Sequence, residues 1–289
     1  MGTDEAHRLD SDGRPIVAAP AASSLPLRSR CQRFYFRYII IPILAPFMLV
    51  YKSIKDDKFR RDFLSIYKAV NEAPRIQHQP YYQPRDLIAK LWKLPSAQHY
   101  VRNRALEYQN SEGYCGRATL RVILQSFGGA VLPSHLVPPV QRGETKPEKW
   151  CEDVQQLVQD SEDQVRMETD IVRGDVPYTE FLRTLERIET SPNDRVALNY
   201  LRPVLFGFAW PKYFITNFIL GVFGGHFSPV VGIIRENQPK DNPLIGVFDV
   251  NHKYNGAYFV PAQTLHESVK AKDLGNSKSR ALVVVTIKP

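Results

Sequence analysis

The last third of the chain holds four short runs rich in β-branched, aliphatic and aromatic residues, at 195–200, 227–234, 245–249 and 281–287. Their length and content are those of strands, so this part of the chain predicts a β-sheet. Ahead of them apolar residues recur every three or four positions. Phe59, Phe63, Ile66, Tyr67 and Val70 form one such set and Ala118, Val122 and Ile123 another, with further helical stretches over 148–158 and 178–188. That spacing predicts amphipathic helices. Helices first and strands afterwards give an α+β arrangement in two lobes, not a βαβ repeat. With 43% apolar and 24% charged residues over 289 positions, the chain can bury a full core, and it carries no internal repeat.

Residues 1–33 mix Asp, Arg, Ser, Ala and Pro without hydrophobic period, and Pro15, Pro20 and Pro26 interrupt any helix, so they read as a flexible arm. Residues 34–51, FYFRYIIIPILAPFMLVY, are almost wholly apolar and sit at the short end of what spans a bilayer. Arg28, Arg30, Arg33 and Arg37 lead into this run, while Lys52, Lys55, Lys58, Arg60 and Arg61 follow it, diluted by Asp56 and Asp57. The net charge of +8 is therefore concentrated around an apolar segment. Three readings stand: a membrane anchor, a helix lying in the interface with its basic flanks on anionic headgroups, or a buried helix. Residues 52–94 read as a helical extension ending in a Pro- and Gln-rich linker, and 95–289 as the globular unit. Nucleic acid is not an expected partner, because no RNP-type motif, zinc finger or basic recognition helix is present.

Cys31, Cys115 and Cys151 form no C-x-x-C pair and no Cys/His zinc spacing, so no protein-bound metal or other cofactor is expected. Cys115 is different in kind, since it opens a predicted helix, where unpaired N–H groups and the dipole stabilise a thiolate. Cysteine catalysis also needs an imidazole to take the thiol proton and a polar group to orient it. His226, in FGGHFSPVVGII, stands at the start of a buried strand, behind glycines that permit close backbone approach. Asp249 ends the next strand, so the two side chains can meet across paired antiparallel strands. Gln109, six residues before Cys115, is placed to donate to an oxyanion. Singly these are a buried thiol, a core histidine, a turn aspartate and a loop glutamine. Their order resembles that of papain-like cysteine enzymes, with a helical lobe carrying the nucleophile and an antiparallel β lobe carrying His and Asp.

The blocks QNSEGYCGRATLRVILQSFG, GGHFSPVVGI and FDVNHKYNGAYFVP also resemble phytochelatin synthases, the glutathione γ-glutamylcysteinyltransferases of the papain-like clan. The resemblance runs from about residue 95 to the C-terminus. It implies nucleophile Cys115, base His226, orienting Asp249 and oxyanion donor Gln109. It further implies that Asp273 and Arg280 hold the γ-glutamyl ammonium and carboxylate, with Gly225 and Lys253 beside the substrate. The implied partners are glutathione and its metal thiolates, with a thiophilic ion such as Cd or Zn arriving on the substrate, and the implied role is metal detoxification or glutathione turnover. The chain departs from the family in an insertion at 236–243, in Ala281 and Leu282 where the family has Gly-aromatic, and in Arg117 and Arg121 on the nucleophile helix. It ends without the Cys-rich half of the plant enzymes, as do short members that favour hydrolysis. An odd cysteine count and a thiolate-dependent site point to a reducing compartment, with the globular unit on the cytosolic side of any membrane. Two rivals remain open: a papain-clan peptidase of ordinary peptides, and a membrane-tethered scaffold without activity.

Overall fold

The computed structural model describes residues 15–17, 41–72, 82–110, 113–129, 146–159, 166–206, 225–254 and 256–288. Its helices are α1 (Ile41–Lys55), α2 (Asp57–Glu72), α3 (Arg85–Leu91), α4 (Pro95–Arg102), α5 (Cys115–Ser126), α6 (Pro147–Gln159), α7 (Tyr178–Thr190), α8 (Arg202–Phe206) and α9 (Ala262–Lys270). The strands are β1 (Arg166–Arg173), β2 (Asp194–Tyr200), β3 (His226–Ile234), β4 (Leu244–Phe248), β5 (Ala257–Pro261) and β6 (Ala281–Lys288). They form one antiparallel sheet in the order β1-β6-β2-β3-β4-β5.

Alternation along the strands divides the core. Leu198, Tyr200, Leu282 and Val284 pack with Phe181 and Leu185 of α7 and Leu265 of α9. Their strand neighbours Ala197, Val283 and Val285 turn the other way, against Leu120 and Leu124 of α5 and Trp150 of α6. Because helices cover both faces, β2 and β3 are buried along their whole length. Towards β4 and β5 the covering residues are Ile88, Leu91 and Trp92 around α3, with Tyr100 and Val101 of α4. Gly232 pairs with Gly246, and a Cβ on either would come within 2.7 or 2.5 Å of a Leu91 methyl, so the two glycines make the hollow that Leu91 fills. The packed layer thus begins before residue 95: α3 belongs to it, and Gln83 from the expected linker donates to the Ala257 carbonyl at 2.7 Å.

The mixed helix and antiparallel-sheet class agrees with the expectation, but the order of elements does not. β1 lies between α6 and α7, and α9 between β5 and β6. The run RMETDIVR hides β1 because it is an edge strand, paired to β6 alone, with charged and exposed positions where an inner strand would be apolar. The insertion at 236–243 is, as expected, the surface connection between the paired strands β3 and β4.

At the N-terminal end, the predicted helix over 52–72 is split at Asp56, whose Oδ1 accepts the N–H groups of Lys58 and Phe59 at 3.0 Å and so starts α2. Phe59, Ile66 and Val70 of α2 and Leu49 of α1 bury themselves against Leu201, Val204, Ala271 and Leu274. α1 covers the second part of the apolar run and continues to Lys55. Among the described residues no helix is long and apolar enough to cross a membrane. Within the expected arm, residues 15–17 are described and Val17 packs against the cluster around Leu91; residues 1–14, 18–33 and 34–40 lie outside the described part.

Candidate active site

The helix expected at Cys115 begins there, with Tyr114 as the preceding residue, no side-chain cap and no acid in the first turn. Its terminal N–H groups are therefore not spent on a capping side chain. Trp150 fixes this end in place. Its indole N–H donates to the Gly116 carbonyl at 2.9 Å, and its ring stacks on Phe227 at 6.3 Å, which holds the first turn of α5 against the start of β3. The two charged residues on the nucleophile helix, Arg117 and Arg121, are engaged: Arg117 pairs with Asp153 of α6 at 2.5 Å, and Arg121 with Glu107 at 2.6 Å. They tie α5 to its neighbours.

His226 is the first residue of β3, opposite Tyr200 at the end of β2, and Asp249 directly follows β4. The two meet as expected, with His226 Nε2 2.8 Å from Asp249 Oδ1. That leaves Nδ1 as the ring nitrogen for Cys115. Asp249 Oδ1 also accepts the Asn251 N–H at 2.9 Å, and Arg202 stands 3.9 Å from Oδ2 with its guanidinium over the Tyr254 ring. The edge-on ring of Tyr200, 5.5 Å away, flanks His226.

This geometry sets the charges. Burial favours a neutral Asp249, but the positive His226 and Arg202 and the hydrogen bonds hold its carboxyl below the usual range. Burial likewise lowers the affinity of His226 for its proton, and the charges of Asp249 and Cys115 with their hydrogen bonds reverse this, raising it to about 9. The Cys115 thiol is pushed up by burial, yet the His226 charge, a hydrogen bond to the ring and the Phe227 N–H together bring it below its ordinary value. The His226 ring thus draws the thiol down through its charge and a hydrogen bond, while Asp249 and Cys115 together hold the proton on the imidazole more firmly.

Gln109 is buried, and its backbone N–H donates to the Val250 carbonyl at 2.6 Å, which ties the approach to Cys115 to the turn after Asp249. Its side-chain Oε1 has no hydrogen-bond partner, so that end of the carboxamide is not used by the fold. Asp273 and Arg280 stand at the base of one hairpin, closed by the Lys272–Ser279 bridge. Arg280 is 1% exposed and donates from one terminal nitrogen to the Ala271 and Lys272 carbonyls at 2.9 and 2.5 Å. Its Nε and other terminal nitrogen are buried without partners. Burial lowers its pKa to about 10 against the opposing charge of Asp273, and it stays cationic at neutral pH. Asp273 Oδ1 accepts the Gly275 N–H at 2.8 Å.

Gly225 joins this pair to the histidine. A Cβ there would lie 2.7 Å from Asn199 Nδ2 and 3.4 Å from Arg280 Nε, so the Arg280 side chain passes directly beside the residue before His226. Lys253 is exposed on the 3-10 turn His252–Tyr254 after Asp249, with its backbone N–H on Asn251 Oδ1. The structure thus brings Cys115, His226 and Asp249 together, with Gln109 on one side and Arg280 and Gly225 on the other. Sequence reasoning missed Arg202, Trp150 and Asn199. Trp150, an indole in an amphipathic helix, carried a signal; Asn199 lies on β2 and Arg202 opens α8 just beyond it, and neither carries a local one.

Among the described residues no group of three or more His, Cys, Asp or Glu side chains could hold a metal ion. No protein-family model matches the chain, and no curated protein does either.

Proposed function

We propose that the chain is a papain-like cysteine acyltransferase of the phytochelatin-synthase kind, acting on the Cys–Gly bond of glutathione. The observation that carries this reading is the meeting of a depressed thiol, an imidazole and a carboxylate from α5, β3 and the end of β4, beside a buried guanidinium with two unpartnered nitrogens. Buried donors are almost always satisfied, so unpaired ones next to a candidate centre favour a ligand bearing a carboxylate. The γ-glutamyl end of glutathione carries a carboxylate and an ammonium on one carbon, suited to Arg280 and Asp273 together.

In this mechanism the Cys115 sulfur attacks the carbonyl carbon, and the oxyanion receives a hydrogen bond from the Gln109 carboxamide, turned to present its NH2. The C–N bond then breaks as His226 gives its proton to the departing glycine nitrogen. The thioester is resolved by water, giving γ-glutamylcysteine, or by the amine of a second glutathione, giving a peptide with two γ-Glu-Cys units. In either case His226 takes the acceptor's proton and Cys115 leaves as thiolate. A thiophilic metal takes part as a thiolate complex of the substrate.

The test is to incubate the full chain with glutathione, with and without cadmium or zinc, and to weigh the products. Glycine with γ-glutamylcysteine identifies a hydrolase, and longer γ-linked peptides a synthase. Cleavage of α-linked peptides with glutathione untouched identifies a peptidase and overturns the substrate assignment.

A further inference from the structure

Helix α1 turns an apolar face outward. Ile43, Leu44, Phe47, Val50, Tyr51 and Ile54 are all exposed, Phe47 by 73% and Ile54 by 72%. At about 100° per residue these six fall within an arc of about 120°. Leu49, on the opposite side, is buried, and it joins the cluster of Phe59 and Ile66 beneath. Single exposed apolar side chains are ordinary, but a contiguous face of this kind marks a surface that is covered in use.

Charge selects the occupant. Lys52 and Lys55 close the last turn of α1, and Lys58 and Arg61 follow at the start of α2, all exposed. The acids nearby are Asp56, Asp57 and Asp62. Asp56 is engaged in starting α2 and Asp57 pairs with Arg60 at 2.8 Å, while Asp62 is half-buried. The rim of the apolar face is therefore basic, a poor match for a second copy of the same basic rim and a good one for anionic headgroups. Among the described residues no helix is long and apolar enough to cross a membrane, and α1 carries Lys52 and Lys55 in its last turn and packs Leu49 inward, which suits the plane of the interface. A cleft of about 480 Å³ between α1 and α2, lined by Pro46, Leu49, Val50, Ile54, Arg60 and Phe63, extends the apolar surface inward. It offers room for an acyl chain, which a flat protein partner would leave unfilled.

We propose that α1 is an interfacial anchor that lays its outer face into a bilayer carrying anionic lipid, with Lys55, Lys58 and Arg61 at headgroup level. Lysine stems lie along apolar surface while their ammonium groups stay in the aqueous layer, which fits Lys55 at the margin of the face; Lys52 lies further round the helix, with its Nζ 5.6 Å from the centroid of the Phe59 ring. The proposal does not depend on what the site at Cys115 does.

The experiment is flotation of the full chain with phosphatidylcholine vesicles, with and without phosphatidylserine, and at raised salt. The native chain floats with the anionic vesicles, and salt or removal of phosphatidylserine weakens this. The double variant Phe47→Glu/Ile54→Glu, at two exposed positions that contribute nothing to the core, lowers the bound fraction by at least about tenfold. Lys55→Glu/Lys58→Glu gives a smaller loss, confined to anionic vesicles, and glutathione turnover without vesicles is the same for all three proteins. The proposal is overturned if the native chain stays in solution with every vesicle, or if Phe47→Glu/Ile54→Glu floats as well as the native chain. It is equally overturned if sedimentation shows a dimer that this variant dissolves while no vesicle is bound, which would give the face to a second copy.

Discussion

Cys115 and Cys151 border the same apolar cluster, one at the start of α5 and the other within the neighbouring α6, yet their thiols are driven in opposite directions. Burial is the largest influence on both and pushes both up. At Cys151 little opposes it beyond the nearby Thr169 hydroxyl and the Arg173 charge, and the thiol rises. At Cys115 the His226 charge, its hydrogen bond and the Phe227 N–H overcome burial, and the thiol falls. An apolar setting therefore does not decide whether a cysteine is inert; an adjacent cation whose own charge is secured does. Here the security comes from Asp249, itself held by Arg202 and the Asn251 N–H.

The sharpest break in this contrast is substitution of each sulfur. Cys115→Ala should lower glutathione turnover by about 10⁴-fold or more, because the nucleophile acts as a unit with its base. Asp249→Asn should follow, with a loss of about 10²- to 10⁴-fold in kcat as the imidazole loses its orienting partner, read by steady-state kinetics. Arg280→Ala probes whether the carbonyl is delivered to Cys115: KM for glutathione should rise by about 10- to 100-fold, the worth of a charge-assisted pair. Arg280→Lys should recover part of this, whereas a change in melting temperature with KM unmoved would make Arg280 a structural residue only.

The pH profile sharpens the contrast further. The productive pair has lost the thiol proton and kept the imidazole proton. kcat/KM should accordingly rise as pH climbs through the depressed thiol value and fall as pH passes about 9, where His226 deprotonates. The smallest effect belongs to Cys151→Ala, which should leave turnover within about twofold and cost about 1 kcal/mol of stability, seen in a denaturant melt.

Much of this centre was legible because its residues announce themselves locally. Cys115 opens a helix by its apolar period, and His226 and Asp249 flank apolar runs of strand length, so their neighbourhood followed from antiparallel pairing. The edge strand β1 escaped because one strand neighbour and a solvated face let it carry Arg, Glu and Asp. The short β5 and the helix α9 adjoin with no loop between them, so Pro261 alone marks their boundary. Arg202 could not be read at all, since its place beside Asp249 depends on the register of β2 with β3 and on Tyr254 beneath its guanidinium. The state of Arg280 was equally hidden: its position suggests a surface base, and only the folded hairpin shows a guanidinium with two unused nitrogens.

The most direct measurement is the rate of iodoacetamide alkylation at Cys115 across pH, read by peptide mass in the native chain and in His226→Ala. The native rate should reach its plateau below the pH at which an ordinary thiol ionises, and His226→Ala should move that rise upward towards the behaviour of Cys151. A Cys115 that titrates like Cys151 in the native chain, or one indifferent to loss of the imidazole, would contradict the pairing on which the proposed chemistry stands.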